Sequence, residues 1–526
     1  MFSKVFPKIL FSILILLAIF TRFYGLNWGF PYYFHPDENN MATAVSQFSE
    51  TNLDPHFYAY GQFPLYLSFF VGKIFNLSNS LADSILVLRL LSACFSLAAL
   101  YFFYLSVKLV FPKISRYFFL LMTFSPGLIQ LAHFGTTEAL LLFIFSINTF
   151  LALKHSQSSN PKYILIASIF TGIGLATKIT AIFFILPLLF SFILSFKKNP
   201  YHLVSIIFFL QFISLSVILF LILSPYNWIN FYDFLSAMKY ETSVATGQLP
   251  IFYTTQFKNS LPYFFQLKNI FPYSSGITIF VFSLLSLIFL PRFKIKSKLS
   301  SLLIFFLPSL LYFLYFGQLY VKWFRFMSPL FFIPPFFAAL FITYFKSKLI
   351  KLSLAVLAIL PGLIYFSHYF YPDIRYSASQ WFGQNIPSNS VVLSEGGNVV
   401  NFPLNQSDYK VTHFDFYSET DFSDDLINQI SLSDYIIVPS RRVYKNYSTP
   451  DYPLLNNYYQ NLFSGNLGFE LIKTFSPPGN FILNSQSAEE TWTVFDRPTI
   501  RVYQKVESKT SLDIKYILSP DQNDQN

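Results

Sequence analysis

The sequence predicts a polytopic α-helical membrane protein of about eleven spans, ending in a small exported α/β domain. Three observations predict it. Of 526 residues, 53% are hydrophobic and only 12% charged, which is not the surface chemistry of a water-soluble globule. The apolar residues collect into blocks such as "ILFSILILLAIF", "FFILPLLFSFILSF" and "IIFFLQFISLSVILFLIL", several of them long enough to cross a bilayer as helices, which satisfy their own backbone groups in lipid. Near residue 370 the long blocks stop, and Asn, Ser and Asp become more frequent.

In chain order the expected spans fall at roughly 5–24, 84–110, 117–133, 137–154, 162–177, 179–196, 203–224, 274–290, 299–317, 326–345 and 350–369. The first begins with Lys4 and Lys8 ahead of its apolar run, and no small-residue cleavage site follows, so it is expected to remain as a signal anchor. Lys4, Lys8, Lys108, Lys113, Arg116, Lys154, Lys162, Lys197, Lys198, Arg292, Lys294, Lys296, Lys298, Lys346, Lys348 and Lys351 all fall on one side of this arrangement. That side is cytoplasmic by the positive-inside rule, which puts the N-terminus inside and the C-terminal region outside the membrane. The net charge of +10 is then mostly a topology signal, and membrane lipids rather than nucleic acid are the expected partners.

Residues 1–370 form the expected membrane module, with outside loops at about 22–83 and 224–273, and residues 371–526 the soluble domain. In that domain "ASQWFGQNIP" places Ala378, Trp381, Phe382 and Ile386 at helical spacing and stops at Pro387. "SVVLSE" and "DYIIVPS" read as buried strands, and "TWTVFDRPTIRVY" as two short strands joined at Asp496, Arg497 and Pro498. Glu489, Glu490, Asp496 and Arg497 read as polar residues at a strand edge.

Cys94 is the only cysteine and lies inside the second span, so no internal disulfide is available and packing in the core is its expected role. No Cys-based metal centre can form, and the seven His residues show no HExxH-like spacing. No cofactor is expected, although an acidic cluster could hold a divalent cation through oxygen ligands. A Walker loop, a GxGxxG after a strand and a GxSxG elbow are all missing from the sequence.

Just past the first span stands "YFHPDENN", where Pro36, Asp37 and Glu38 would open a helix whose apolar face is Met41, Ala44, Val45 and Phe48. Acids in a first turn suit any helix start. His35 and two acids beside aromatic residues at the membrane rim, however, point to function, because ionisable groups there are costly.

An acidic pair in the first outside loop of a many-spanning chain resembles the hallmark of the GT-C membrane glycosyltransferases. "FHPDE" is similar to the form found in bacterial relatives of the protein O-mannosyltransferases, family 39. The likeness extends through "VLRLLSACFSLAALYFFYLSVKLVF", "SPGLIQLAHFGTTEALL", "GIGLATKITA", "SPYNWINF", "FGQLYVKWFRFMSPL" and "AEETWTVFDRP". It implies inverting transfer of a sugar from a polyprenyl-phosphate donor to an acceptor protein, lipid or glycan on the outer face, generally without a metal. Such a transfer needs a carboxylate to take the acceptor's proton and cations to stabilise the departing phosphate.

The resemblance implies Asp37 as base, with Glu38 positioning the acceptor or sharing the base's role and His35 orienting the pair. Glu138 in "HFGTTEALL", with His133 close by, stands where the family commonly carries Asp. Lys178, Lys322, Arg325 and Arg89 are the expected phosphate cations, and Glu241 an acceptor or donor contact. The main alternative is a lipid or sugar transporter, which predicts paired broken helices in two similar halves, and no such repeat is visible in the sequence. A receptor or assembly protein would leave the same charges scattered.

Overall fold

The computed structural model describes residues 2–196, 202–289, 298–396, 402–405, 407–416, 424–446, 452–483 and 485–518. Lys197, Lys198, Arg292, Lys294 and Lys296, five of the cations behind the expected orientation, lie outside the described residues. The chain divides into two compact units, one formed by residues 1–27, 37–243 and 262–366, the other by 28–36, 244–261 and 367–526.

The first unit is helical. Among the described residues six helices are long and apolar enough to cross a membrane, or up to eight if each of two bent pairs is one span. These helices mark the chain as an integral membrane protein, and they stand where the sequence predicts about eleven spans. Helices occupy the other expected positions too, but some are short or broken. The third expected span, 117–133, is two helices, Ser115–Thr123 and Pro126–His133, because Pro126 cannot continue the helix before it. Carbonyl groups at the break are taken up by the fully buried Arg22, which donates to Met122 at 3.1 Å and to Thr123. Breaks of this kind are tolerated at membrane depth where protein groups satisfy the freed backbone.

The helix His202–Leu223 turns Leu203, Ile206, Leu210, Ile213 and Leu221 outward, as an apolar solvent allows. Cys94 likewise is exposed on the helix Leu81–Val110 and not packed in the core as expected, since a lipid-facing surface sets no premium on hiding a small apolar side chain.

The second unit is an α/β fold around five strands: β1 Val391–Gly396, β2 Lys410–Asp415, β3 Tyr435–Val438, β4 Phe469–Phe475 and β5 Ile500–Lys505, in the order β2-β1-β3-β5-β4. The first three are parallel, and β5 runs antiparallel to both β3 and β4. Alternation along the strands builds two cores. Val392, Ile437 and Val502 face one side with Ala378 and Phe382 of the helix Ile374–Asn385, while Leu393, Ile436 and Tyr503 face the other with Tyr458 and Leu462.

"TWTVFDRPTIRVY" is not a hairpin. Thr491–Val494 is a helical turn and only Ile500–Lys505 is a strand. The polar residues read as edge groups are buried: Glu490 pairs with Arg442 at 2.8 Å, and Asp496 accepts from Tyr369 at 3.0 Å. For Glu490 and Asp496 the cost of burial is offset because each meets a specific partner far away in sequence.

Candidate active site

The helix Pro36–Ser46 starts where the sequence predicts, with Met41, Ala44 and Val45 buried along one face. Consecutive helix residues differ in direction by about 100°, so adjacent Asp37 and Glu38 meet different surroundings. Glu38 is fully buried and receives Arg89 in a fork, Nε to Oε1 at 2.9 Å and Nη2 to Oε2 at 2.7 Å, plus the Gly135 backbone N–H at 2.5 Å. Arg89 also donates to the Leu26 carbonyl at 2.9 Å. The lipid phosphate expected on Arg89 thus finds a carboxylate already there, and the pair ties together four chain segments.

Asp37 faces the other way. It pairs with Arg325, and both side chains keep about a quarter of their surface open, 23% and 26%. The same guanidinium nitrogen donates to the Tyr60 hydroxyl at 3.2 Å and its plane lies over Trp323 at 4.8 Å. Next to it, Lys178 lies 3.7 Å from Glu138 and above the Tyr60 ring at 5.0 Å. Glu241, from the helix Phe231–Thr246, completes the group: burial raises its carboxyl above the usual range, against the pull of Arg325 and Lys178. Burial lowers the Lys178 ammonium, and Glu138 opposes that shift.

Local structure explains why these groups converge. Glu138 is the first residue of the helix Glu138–Ser158, and Lys178 sits in extended backbone between the helix Lys162–Leu175 and the 3-10 turn Ile179–Ile185. The "GQF" segment pairs with that break through Gly61 N–H to Thr177 O at 2.9 Å and Phe63 N–H to Ala176 O at 3.1 Å. A Cβ on Gly61 would lie 2.0 Å from the Ala176 carbonyl oxygen, so only glycine allows the approach. Gln62 is buried and reaches Asn227 at 3.1 Å and Tyr226 N–H at 3.0 Å. Tyr60 and Lys178 are therefore set by one shared backbone junction.

His35 belongs to the second unit, where its ring packs 4.2 Å from Phe495. His133 is buried with both ring nitrogens 2.8 Å from carbonyl oxygens, of Ile129 and Tyr24. Lys322 donates to its neighbour Tyr320 O at 3.0 Å, and burial pushes its ammonium down to about 8. Sequence reasoning missed Tyr60. The signal for it was the glycine and buried amide of "YGQFP", which mark a close backbone approach and hence a fixed preceding side chain.

Three carboxylates and two cations from five chain segments thus share one place, with Asp37 and Arg325 open to an incoming molecule. Among the described residues no group of three or more His, Cys, Asp or Glu is arranged as a metal-ligand set.

Residues 64–226 match the family described as dolichyl-phosphate-mannose-protein mannosyltransferase. The stretch contains Arg89, His133, Glu138 and Lys178. Among solved structures the chain is similar to the archaeal oligosaccharyltransferase AglB from Archaeoglobus fulgidus, at 11% identity over 87% of this chain and 72% of that one, with a TM-score of 0.48. ArnT from Cupriavidus metallidurans gives 11% identity over 95% and 98%, with a TM-score of 0.46. The S. cerevisiae protein O-mannosyltransferase Pmt1–Pmt2 complex gives 13% identity over 43% and 34%, with a TM-score of 0.35. No match was found among curated proteins.

Proposed function

We propose that the protein is an inverting glycosyltransferase that moves a sugar from a polyprenyl-phosphate donor to an acceptor hydroxyl on the outer face of the bacterial plasma membrane. The observation that carries the reading is the convergence of Asp37, Arg325, Lys178, Glu138 and Glu241, a set that a receptor has no reason to gather. In the reaction the acceptor oxygen bonds to the anomeric carbon as the bond from that carbon to the phosphate oxygen breaks. The hydroxyl proton passes to Asp37, and the electron pair of the breaking bond leaves with the lipid phosphate.

Arg325 and Lys178 stabilise that developing charge, and their aromatic and buried surroundings strengthen the interaction relative to water. Glu138 holds Lys178 in place, and Glu241 accepts a hydrogen bond from a sugar or acceptor hydroxyl. Glu38 supports the base through the helix they share, by fixing that helix on Arg89.

The test is transfer of labelled sugar from a polyprenyl-phosphate-linked donor in membranes, comparing the native chain with Asp37→Asn at equal amounts of folded protein. Loss of transfer by about 100-fold or more is expected, in the range for removal of a general base, with donor lipid still bound. A variant as active as the native chain overturns the assignment.

A further inference from the structure

We propose that Tyr60 is a third donor-binding group, its hydroxyl donating to an oxygen of the lipid phosphate that Arg325 and Lys178 hold. The inference rests on the glycosyl-transfer reading above and adds a residue to it.

Tyr60 touches both cations. Arg325 donates to its oxygen at 3.2 Å, while the Lys178 ammonium sits 5.0 Å from its ring centroid. Phe326 flanks Lys178 at 5.7 Å, so the ammonium has two aromatic faces about it. A phenol that accepts a hydrogen bond still has its own proton to give. Among the described residues nothing accepts the Tyr60 proton, although Tyr60 is only 8% exposed. A buried donor left without an acceptor is costly unless a ligand supplies one. Burial holds the hydroxyl's ionisation well above its ordinary value, so the group remains a donor beside two positive charges.

The fold also fixes the backbone that carries that donor. The junction of Gly61 and Phe63 with Ala176 and Thr177 locks the backbone immediately after Tyr60, and Gln62 anchors it to Asn227. The ligand that meets an arginine, a lysine and a phenol donor together is an oxyanion with several acceptor oxygens. A phosphate monoester or diester fits, and a neutral sugar hydroxyl does not call for two cations.

The experiment uses the full chain in lipid nanodiscs, with polyprenyl monophosphate and the polyprenyl alcohol of equal length as probes. Binding is read for native protein, Tyr60→Phe and Tyr60→Leu. Tyr60→Phe keeps the ring beneath Lys178 and removes only the hydroxyl. The expected result is about tenfold weaker binding of the phosphate, the size of a hydrogen bond to a charged group, with alcohol binding unchanged, and a larger loss for Tyr60→Leu.

Unchanged phosphate binding in Tyr60→Phe overturns the role of Tyr60 while leaving the transferase reading intact. Equal weakening of phosphate and alcohol also overturns it, since that is a disturbed fold. If the native protein binds the two probes alike, the transferase reading itself falls, and this proposal with it.

Discussion

Replacing Glu395 by Gln should make the second unit more stable at neutral pH, and the size of the gain follows from the structure. Glu395 lies on β1, 3% exposed, and accepts from the Tyr459 hydroxyl at 2.6 Å. Burial raises its carboxyl from 4.5 to about 8, with Tyr459 and Arg501 opposing the rise. The folded state therefore keeps the proton that the unfolded state releases.

Stability from this group is full below pH 4.5, falls as pH rises toward about 8, and is then lost. Each pH unit inside that window is worth about 1.4 kcal/mol, so at pH 7 the native chain has given up about 3 kcal/mol. Glu395→Gln cannot ionise and still accepts from Tyr459, so it avoids the loss.

The assay is hydrogen exchange of the full chain in nanodiscs, corrected for intrinsic rate, followed at β1 and the helix Pro453–Ser464. Where exchange reports opening of the whole unit, protection should fall about 100-fold between pH 5 and pH 7 in the native chain and much less in Glu395→Gln. The same pH slope in both proteins would refute the reasoning.

Three further outcomes are expected. Arg89→Ala leaves Glu38 buried without its fork and should cost about 3–5 kcal/mol, read as a large drop in the thermal midpoint of detergent-solubilised protein; a shift of under a degree would contradict the pinning role. Gly61→Ala drives a methyl into the Ala176 carbonyl and should both lower the midpoint and raise the donor's apparent KM, by displacing Tyr60 and Lys178 together; normal kinetics would show the junction to be slack. Lys178→Met should raise the donor's apparent KM about tenfold, the order expected for a lost charge-assisted hydrogen bond, whereas Lys322→Met should change it less than twofold, because Lys322 spends its ammonium on Tyr320; equal effects would put both cations on the phosphate.

Much of the architecture was legible because apolar length and spacing are local properties. The helix at Pro36, the strand "SVVLSE" and the breaks around Lys178 all follow from residues within one or two turns. The hairpin expected at "TWTVFDRPTIRVY" failed because Glu490 and Asp496 find buried partners in Arg442 and Tyr369, and those contacts outweigh the local alternation. The acids and cations were found by type and place, but their pairing was not. Asp37 meets Arg325 across 288 positions of sequence, and Glu38 meets Arg89 across 51.

The sequence by itself determined that this is a membrane chain carrying carboxylates and cations at the ends of its helices, since hydrophobic length and helix-start chemistry depend on neighbours. Only the tertiary structure decided which of two adjacent acids stays partly exposed and which is spent on holding the fold. That choice depends on the helix's rotation and on what distant segments place beside each face, and burial then makes an unmatched charge too costly to leave.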